Sequence, residues 1–184
     1  MLLIGYADIT DLTDFSLDKI SCCLRSKYIE SIVDEKRKRQ CYYAWLLLSK
    51  MLLQLNININ SLDFNVKEGK WYCINSNIFF NISHSNNIVA VSLSDETDNA
   101  VDVQVCRESI LKTAKKYCKN QLKTIENMSD ILACTQAWTL FELGYKGNFE
   151  NKVSFETKDK LQNSYILSFS YKNKIDYSVK NYTL

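Results

Sequence analysis

The chain of 184 residues has no proline, four glycines and one histidine, and its 23 basic and 21 acidic residues leave a net charge of only +2. Each shortage excludes something. With no Pro/Ser/Gly-rich stretch and no visible repeat, nothing in the composition marks a linker between a front and a back half. The missing proline, alongside heavy Asn, Ile and Lys usage, matches a low-GC coding bias and carries no functional information. One histidine among seven scattered cysteines (22, 23, 41, 73, 106, 118 and 134), without a Cys-x-x-Cys pair, argues against a zinc site. The cysteines read as reduced, mostly buried thiols of a cytosolic protein. The near-neutral balance gives no overall attraction to nucleic acid or an anionic membrane, so any anion binding must come from local clusters. The longest apolar run beyond the N-terminus, Ala44 to Leu48, is far too short to cross a bilayer. Met1 to Asp8 turns polar after four apolar residues and has no basic leader, so it reads as a first strand and not a signal peptide. A soluble, cytoplasmic protein is expected.

What is present is ordinary globular material, 46% hydrophobic and 24% charged, enough for one domain or two small halves sharing a core. Ser16 is expected to cap a short helix through Ile20. Ile32 to Leu55 reads as a long amphipathic helix, basic at its start (Lys36 to Arg39) and apolar at its end. Leu62 to Val66 and Trp71 to Cys73 flank a Glu68-Gly69-Lys70 turn; Ile78 to Ile82, Ile88 to Leu93 and Val101 to Val105 follow as strands. A lysine-rich helix is expected over Ser109 to Lys123, and a second, capped by Ser129, from Asp130 to Tyr145. The tail carries three alternating segments, Val153 to Glu156, Tyr165 to Ser170 and Ile175 to Val179, expected to form an antiparallel meander. The pattern is α+β, with an interface between halves expected near Ser94 to Asn99.

Chemistry concentrates in the middle. Phe79-Phe80-Asn81-Ile82-Ser83-His84-Ser85 reads as a strand running into a turn that presents the only imidazole and two hydroxyls. In Val101-Asp102-Val103-Gln104-Val105 a period of two sends the valines to a core and turns Asp102 and Gln104 to solvent or a cleft. Trp138, Glu142 and Lys146 share one helical stripe, with Glu142 and Lys146 in the favourable order for an i, i+4 ion pair. Taken singly, each has a plain reading: a wet strand face, a surface salt bridge, a turn histidine. The basic run Lys36 to Arg39 opposes the helix dipole, which favours some compensating anion.

Taken together and in order, these motifs resemble the phosphopantetheinyl transferases of the long, surfactin-synthetase-activating type. That family carries Phe-Asn-(Ile/Leu)-Ser-His-Ser, then Gly-(Ile/Val)-Asp-(Ile/Val)-Glu, then Trp-x-x-Lys-Glu-x-x-x-Lys; the first matches in full, the others in part. Arg39, and Gly69-Lys70 ahead of the histidine, also fall at family-like positions, so the resemblance spans roughly residues 30 to 150. It implies Mg²⁺-dependent transfer of 4′-phosphopantetheine from coenzyme A to a serine of an acyl or peptidyl carrier protein. It implies two similar α/β halves in a pseudo-dimeric fold: residues 1–95 with coenzyme A-binding elements, residues 96–184 with metal-binding elements, and a shared site between them. Carried over by position, Asp102, Gln104 and Glu142 would ligate Mg²⁺. Glu142, Lys146 and His84 would act in catalysis, and Arg39, Lys36, Lys70, Ser83, His84 and Lys146 would bind coenzyme A. Gln104 stands where the family has a second carboxylate, Ala100 where it has glycine, and Phe141 where it has lysine. These departures motivate the alternative of a weakened relative that binds coenzyme A or a carrier protein without efficient turnover. Neither nucleic acid nor membrane is expected as a partner, and the family default is a monomer. A nucleic-acid face on Lys36 to Arg39 with Lys112, Lys115, Lys116, Lys119 and Lys123 is disfavoured by the overall charge balance and the lack of an aromatic-basic platform.

Overall fold

A computed structural model describes residues 1–74, 76–125, 129–147 and 149–184. The architecture is α+β. Strands β1 (Leu2–Asp8), β4 (Phe79–Ser85), β5 (Ile88–Ser94) and β9 (Tyr177–Asn181) make a sheet in the order β4-β5-β1-β9. A second sheet runs β6-β8-β7, from β6 (Asn99–Val105), β7 (Asn151–Lys158) and β8 (Ser164–Tyr171), and β2 (Asp63–Lys67) with β3 (Lys70–Ile74) form a separate hairpin. The helices are α1 (Cys23–Glu30), α2 (Glu35–Gln54), α3 (Ser109–Tyr117), α4 (Lys119–Leu122) and α5 (Asp130–Lys146).

The layers follow from strand periodicity. On β1 and β5, Leu3, Ala7, Val89, Val91 and Leu93 point to a core shared with α2, through Trp45, Leu48 and Met51. The alternate residues Leu2, Ile4, Ile88 and Ala90 point the other way, onto Val101, Val103, Leu167 and Phe169 of the second sheet. The outer face of that second sheet meets α5, where Thr139 Oγ1 lies 2.7 Å from Ser168 Oγ. The result is a helix–sheet–sheet–helix stack in which the inner strands β1 and β5 of the first sheet are buried on both faces while its edge strand β9 is exposed.

Side chains stitch the two sheets together along one seam. Val101, Val103 and Val105 on β6 donate their backbone N–H groups to Asn81 Oδ1 (3.2 Å), Ser83 Oγ (3.3 Å) and Ser85 Oγ (3.0 Å) of β4. Every second residue of the Asn-Ile-Ser-His-Ser stretch thus replaces a backbone carbonyl that β6 would otherwise need. The whole of Phe79–Ser85 is therefore strand; the expected turn comes later, at Asn86-Asn87, with Asn86 in the left-handed region at φ 49°.

Other boundaries moved for local reasons. Helix α2 begins at Glu35, not Ile32, because Asp34 caps it by accepting the Arg37 N–H at 2.7 Å. It ends in a Schellman arrangement: Asn56 sits at φ 58°, and Ile57 and Asn56 donate to the Leu52 and Leu53 carbonyls. The segment after Ser16 is a single 3-10 turn, Leu17–Lys19, with no side-chain cap bond. The lysine-rich stretch is two helices, parted at buried Cys118, whose ψ of 31° breaks the repeat. The tail is not a meander: β7 and β8 pair antiparallel, whereas β9 crosses to lie parallel to β1. Alternation identifies a strand but not its partner. All seven thiols are free, and only Cys41, Cys118 and Cys134 are fully buried, fewer than expected. No helix among the described residues is long and apolar enough to cross a membrane.

Gly5 lies where α2 and the C-terminal segment press on β1: a Cβ there would meet Met51 Sδ and come within 2.9 Å of Tyr182 Cε2. Gly5→Ala is expected to lower stability by about 1 to 3 kcal/mol, read as a lower urea midpoint with an unchanged slope.

Candidate functional site

A cavity of about 350 Å³ opens where the seam meets the helices. Its walls are built from Arg25 and Tyr28 of α1, Arg37 and Cys41 of α2, Gly69 to Trp71 of the β2–β3 hairpin and Phe80 to His84 of β4. Asp102 of β6, with Glu142 and Lys146 of α5, completes it. Helical spacing explains the pairs: Arg25 and Tyr28 are i, i+3, while Arg37 with Cys41 and Glu142 with Lys146 are i, i+4.

On the acidic side, Asp102 is 7% exposed; its Oδ1 accepts Ser83 Oγ at 2.9 Å and Lys146 Nζ at 2.8 Å. Lys146 Nζ also donates to Val101 O at 2.7 Å. The expected surface pair between Glu142 and Lys146 is thus replaced by a largely buried bridge from Lys146 to Asp102, because α5 packs flat on β6. Burial raises the Glu142 carboxyl above its ordinary range, and the nearby Asp102 charge adds to this while Lys146 opposes it. Trp138, which shares the stripe in projection, packs instead on Phe141 within the α3–α5 cluster, ring centroids 5.7 Å apart.

The opposite wall is cationic. Arg25 is 3% exposed, with its guanidinium carbon 5.2, 5.0 and 4.9 Å from the ring centres of Tyr28, Trp45 and Trp71. Among the described residues it donates once, to Cys41 O at 3.1 Å, and its Nε has no hydrogen-bond partner. Among the described residues no carboxylate pairs with it. Cation–π contacts offset part of the cost of burying this charge, but a buried guanidinium without an anion is an arrangement that a phosphate would complete. His84 is half-buried, its Nε2 3.8 Å from Cys41 Sγ. Burial, reinforced by Arg37, Lys146 and Arg25, pulls its pKa from 6.5 down to about 4, so the ring is neutral at neutral pH and can donate one N–H.

Of the residues singled out by sequence, Lys70, Ser83, His84, Asp102, Glu142 and Lys146 line this one cavity. Lys70 Nζ spans from the hairpin to α5, donating to the carbonyls of Tyr145 (3.0 Å) and Lys146 (2.9 Å) at the helix end. Gln104 does not line the cavity; its amide nitrogen lies 3.5 Å from Val105 O. Nor do Arg39 and Lys36. Arg39 donates Nε to Leu12 O (3.0 Å) and Nη2 to Thr10 O (3.1 Å) and Ile9 O, while Lys36 reaches Asn86 Oδ1 at 2.5 Å. Both line a separate cavity of about 320 Å³. At 100° per residue, neighbours in the basic run point to different sides of α2, and Arg37 is the one on the face of Cys41 and His84. Arg25, Arg37 and Cys41 were missed; the helical spacing of Arg37 with Cys41 was the available signal.

A divalent cation fits the acidic side in part. Mg²⁺ takes one or two carboxylates and completes its shell with water or phosphate oxygens, and Asp102 and Glu142 line the cavity together. No group of three or more His, Cys, Asp or Glu side chains gathers elsewhere among the described residues, or here. A scan against protein-family models finds no match, and a search of curated proteins finds none. The chemistry of the cavity therefore rests on its own residues.

The depressed pKa of His84 has a consequence for stability. Below about pH 6.5 the unfolded chain takes up a proton that the folded imidazole refuses until about pH 4, so stability falls as pH drops through that window. The loss is at most about 3 kcal/mol. Urea unfolding near pH 4.5 and pH 7 is expected to show a smaller acid loss in His84→Gln than in the unaltered protein; equal losses would place the titration elsewhere.

Proposed function

We propose that the protein is a 4′-phosphopantetheinyl transferase of the long type, acting on an acyl or peptidyl carrier protein with coenzyme A as donor. The observation that carries this reading is a single cavity with a cationic wall of Arg25, Arg37 and Lys70 and neutral His84, facing two carboxylates, Asp102 and Glu142. Such a cavity suits a diphosphate held on one side and a reacting hydroxyl activated on the other. The helix-on-sheet pairing occurs twice, α2 on the first sheet and α5 on the second, which supports a pseudo-dimeric arrangement of two halves.

In this mechanism the carrier serine Oγ bonds to the phosphorus nearer pantetheine. The bond from that phosphorus to the bridging oxygen breaks, and adenosine 3′,5′-bisphosphate leaves with the electron pair. Arg25 and Arg37 hold phosphate oxygens by charge-assisted hydrogen bonds, and His84 donates its N–H to another. Glu142, with its raised pKa, accepts the serine proton. Lys146 neutralises charge gathering on the leaving phosphate. A Mg²⁺ ion held by Asp102 and Glu142 would supply further neutralisation at the diphosphate.

The test is mass spectrometry of an apo carrier protein incubated with the protein, coenzyme A and Mg²⁺. A gain equal to the phosphopantetheine mass is expected, falling about 100-fold or more in rate with Glu142→Gln or Asp102→Asn. No gain across acyl and peptidyl carriers would sink the proposal. Arg25→Met, which keeps the volume inside the aromatic box, is expected to raise KM for coenzyme A about tenfold or more with a smaller effect on kcat.

Gln104 lying off the cavity favours a second reading, a relative that binds coenzyme A or a carrier without efficient turnover. Calorimetric binding of coenzyme A with no mass gain across acyl and peptidyl carriers would select it.

A further inference from the structure

Lys146 sits where a metal would be needed. Its ammonium is held by two oxygens of adjacent β6 residues, Val101 O at 2.7 Å and Asp102 Oδ1 at 2.8 Å. Its side chain is 20% exposed and that of Asp102 10%. Glu142, one turn back on α5, lines the same cavity. Two carboxylates and one ammonium leave the cluster a single net negative charge, and Gln104 adds none. An ammonium bonded to Asp102 Oδ1 takes up one of the two carboxylate oxygens and repels a divalent ion.

We infer that Lys146 is a resident counter-ion of the metal position: its ammonium and a divalent cation compete for Asp102, and the cation binds only when the ammonium swings away. The lysine is the last residue of α5, with a flexible stem and a partly open side chain, so it can leave without unpacking the helix. The natural destination is a phosphate in the cavity, whose charge exceeds that of one carboxylate. Divalent cation and phosphate ligand then favour each other, because each removes the ammonium from Asp102. The inference rests on the metal role given to Asp102 and Glu142, and its test needs no turnover.

Mn²⁺ binding to the free protein is measured by electron paramagnetic resonance without coenzyme A. Lys146→Gln is expected to tighten Mn²⁺ binding about tenfold or more, as loss of a like charge beside the ion predicts. Lys146→Arg should remain as weak as the unaltered protein, and adding Asp102→Asn to Lys146→Gln should abolish the gain. Unchanged or weaker binding in Lys146→Gln, or a gain that survives Asp102→Asn, would overturn the inference. Should Lys146→Gln fail to fold, trace acetylation of the unaltered protein, mapped by mass spectrometry, decides. Lys146 labelling must rise with saturating Mg²⁺, and constant labelling overturns the competition. A protein that modifies carriers yet shows no such effect loses the inference alone. One whose Mn²⁺ affinity responds to Lys146 while carriers stay unmodified keeps it and loses the transferase reading.

Discussion

The structure depends on the seam between β4 and β6. An edge strand presents backbone N–H groups that must find acceptors, and burial against a second sheet removes water as the acceptor. Asn81, Ser83 and Ser85 supply the oxygens at the period of a strand, so the two sheets meet through side chains and not through a shared ladder. Their alternates on β4, Phe80 and Ile82, face the α2 core, and His84 faces the cavity. One seven-residue strand therefore fixes the contact between the two sheets, orients the imidazole and, through Ser83 Oγ, holds Asp102.

The same geometry separates charge. Cations gather on the wall made by α1, α2 and the hairpin; carboxylates gather where β6 meets α5; Lys146 bridges inward from the acidic side. Each group is tuned by the others. His84 is neutral because it is buried among three cations, and Glu142 is raised because burial and Asp102 both disfavour its charge. Arg25 is the least compensated member, boxed by aromatic rings with no partner for its Nε among the described residues, and a buried charge of this kind costs stability unless an anion pairs with it.

Much of this was legible along the chain. The strands β5 and β6, the Glu68-Gly69 turn with both residues at positive φ, and the Ser129 cap of α5 follow from local apolar patterning and turn chemistry, whereas the second half of β4 did not. Six site residues also came together as their order suggested. The errors share one cause: a local pattern does not name its partner. Arg39 and Lys36, not Arg37, were expected among the site residues, yet the azimuth of α2 turns Arg37 to the cavity and the other two to a separate one. Glu142 and Lys146 looked like a surface pair, yet Asp102 lies closer to the ammonium. Cys118 looked helical, yet its burial against Ala137 and Cys134 sits at a break between two helices.

By itself the sequence determined the α+β class, the positions of most strands and helices, and several of the charged residue types that line the cavity, because these depend on short-range periodicity, capping and charge. Only the tertiary structure decided which basic residues face the cavity, that Gln104 stands off it, that β9 returns to β1, and that Lys146 occupies Asp102. Those outcomes depend on how helices rotate against sheets and on which desolvated charges end up within reach, and neither is written in the spacing of one segment.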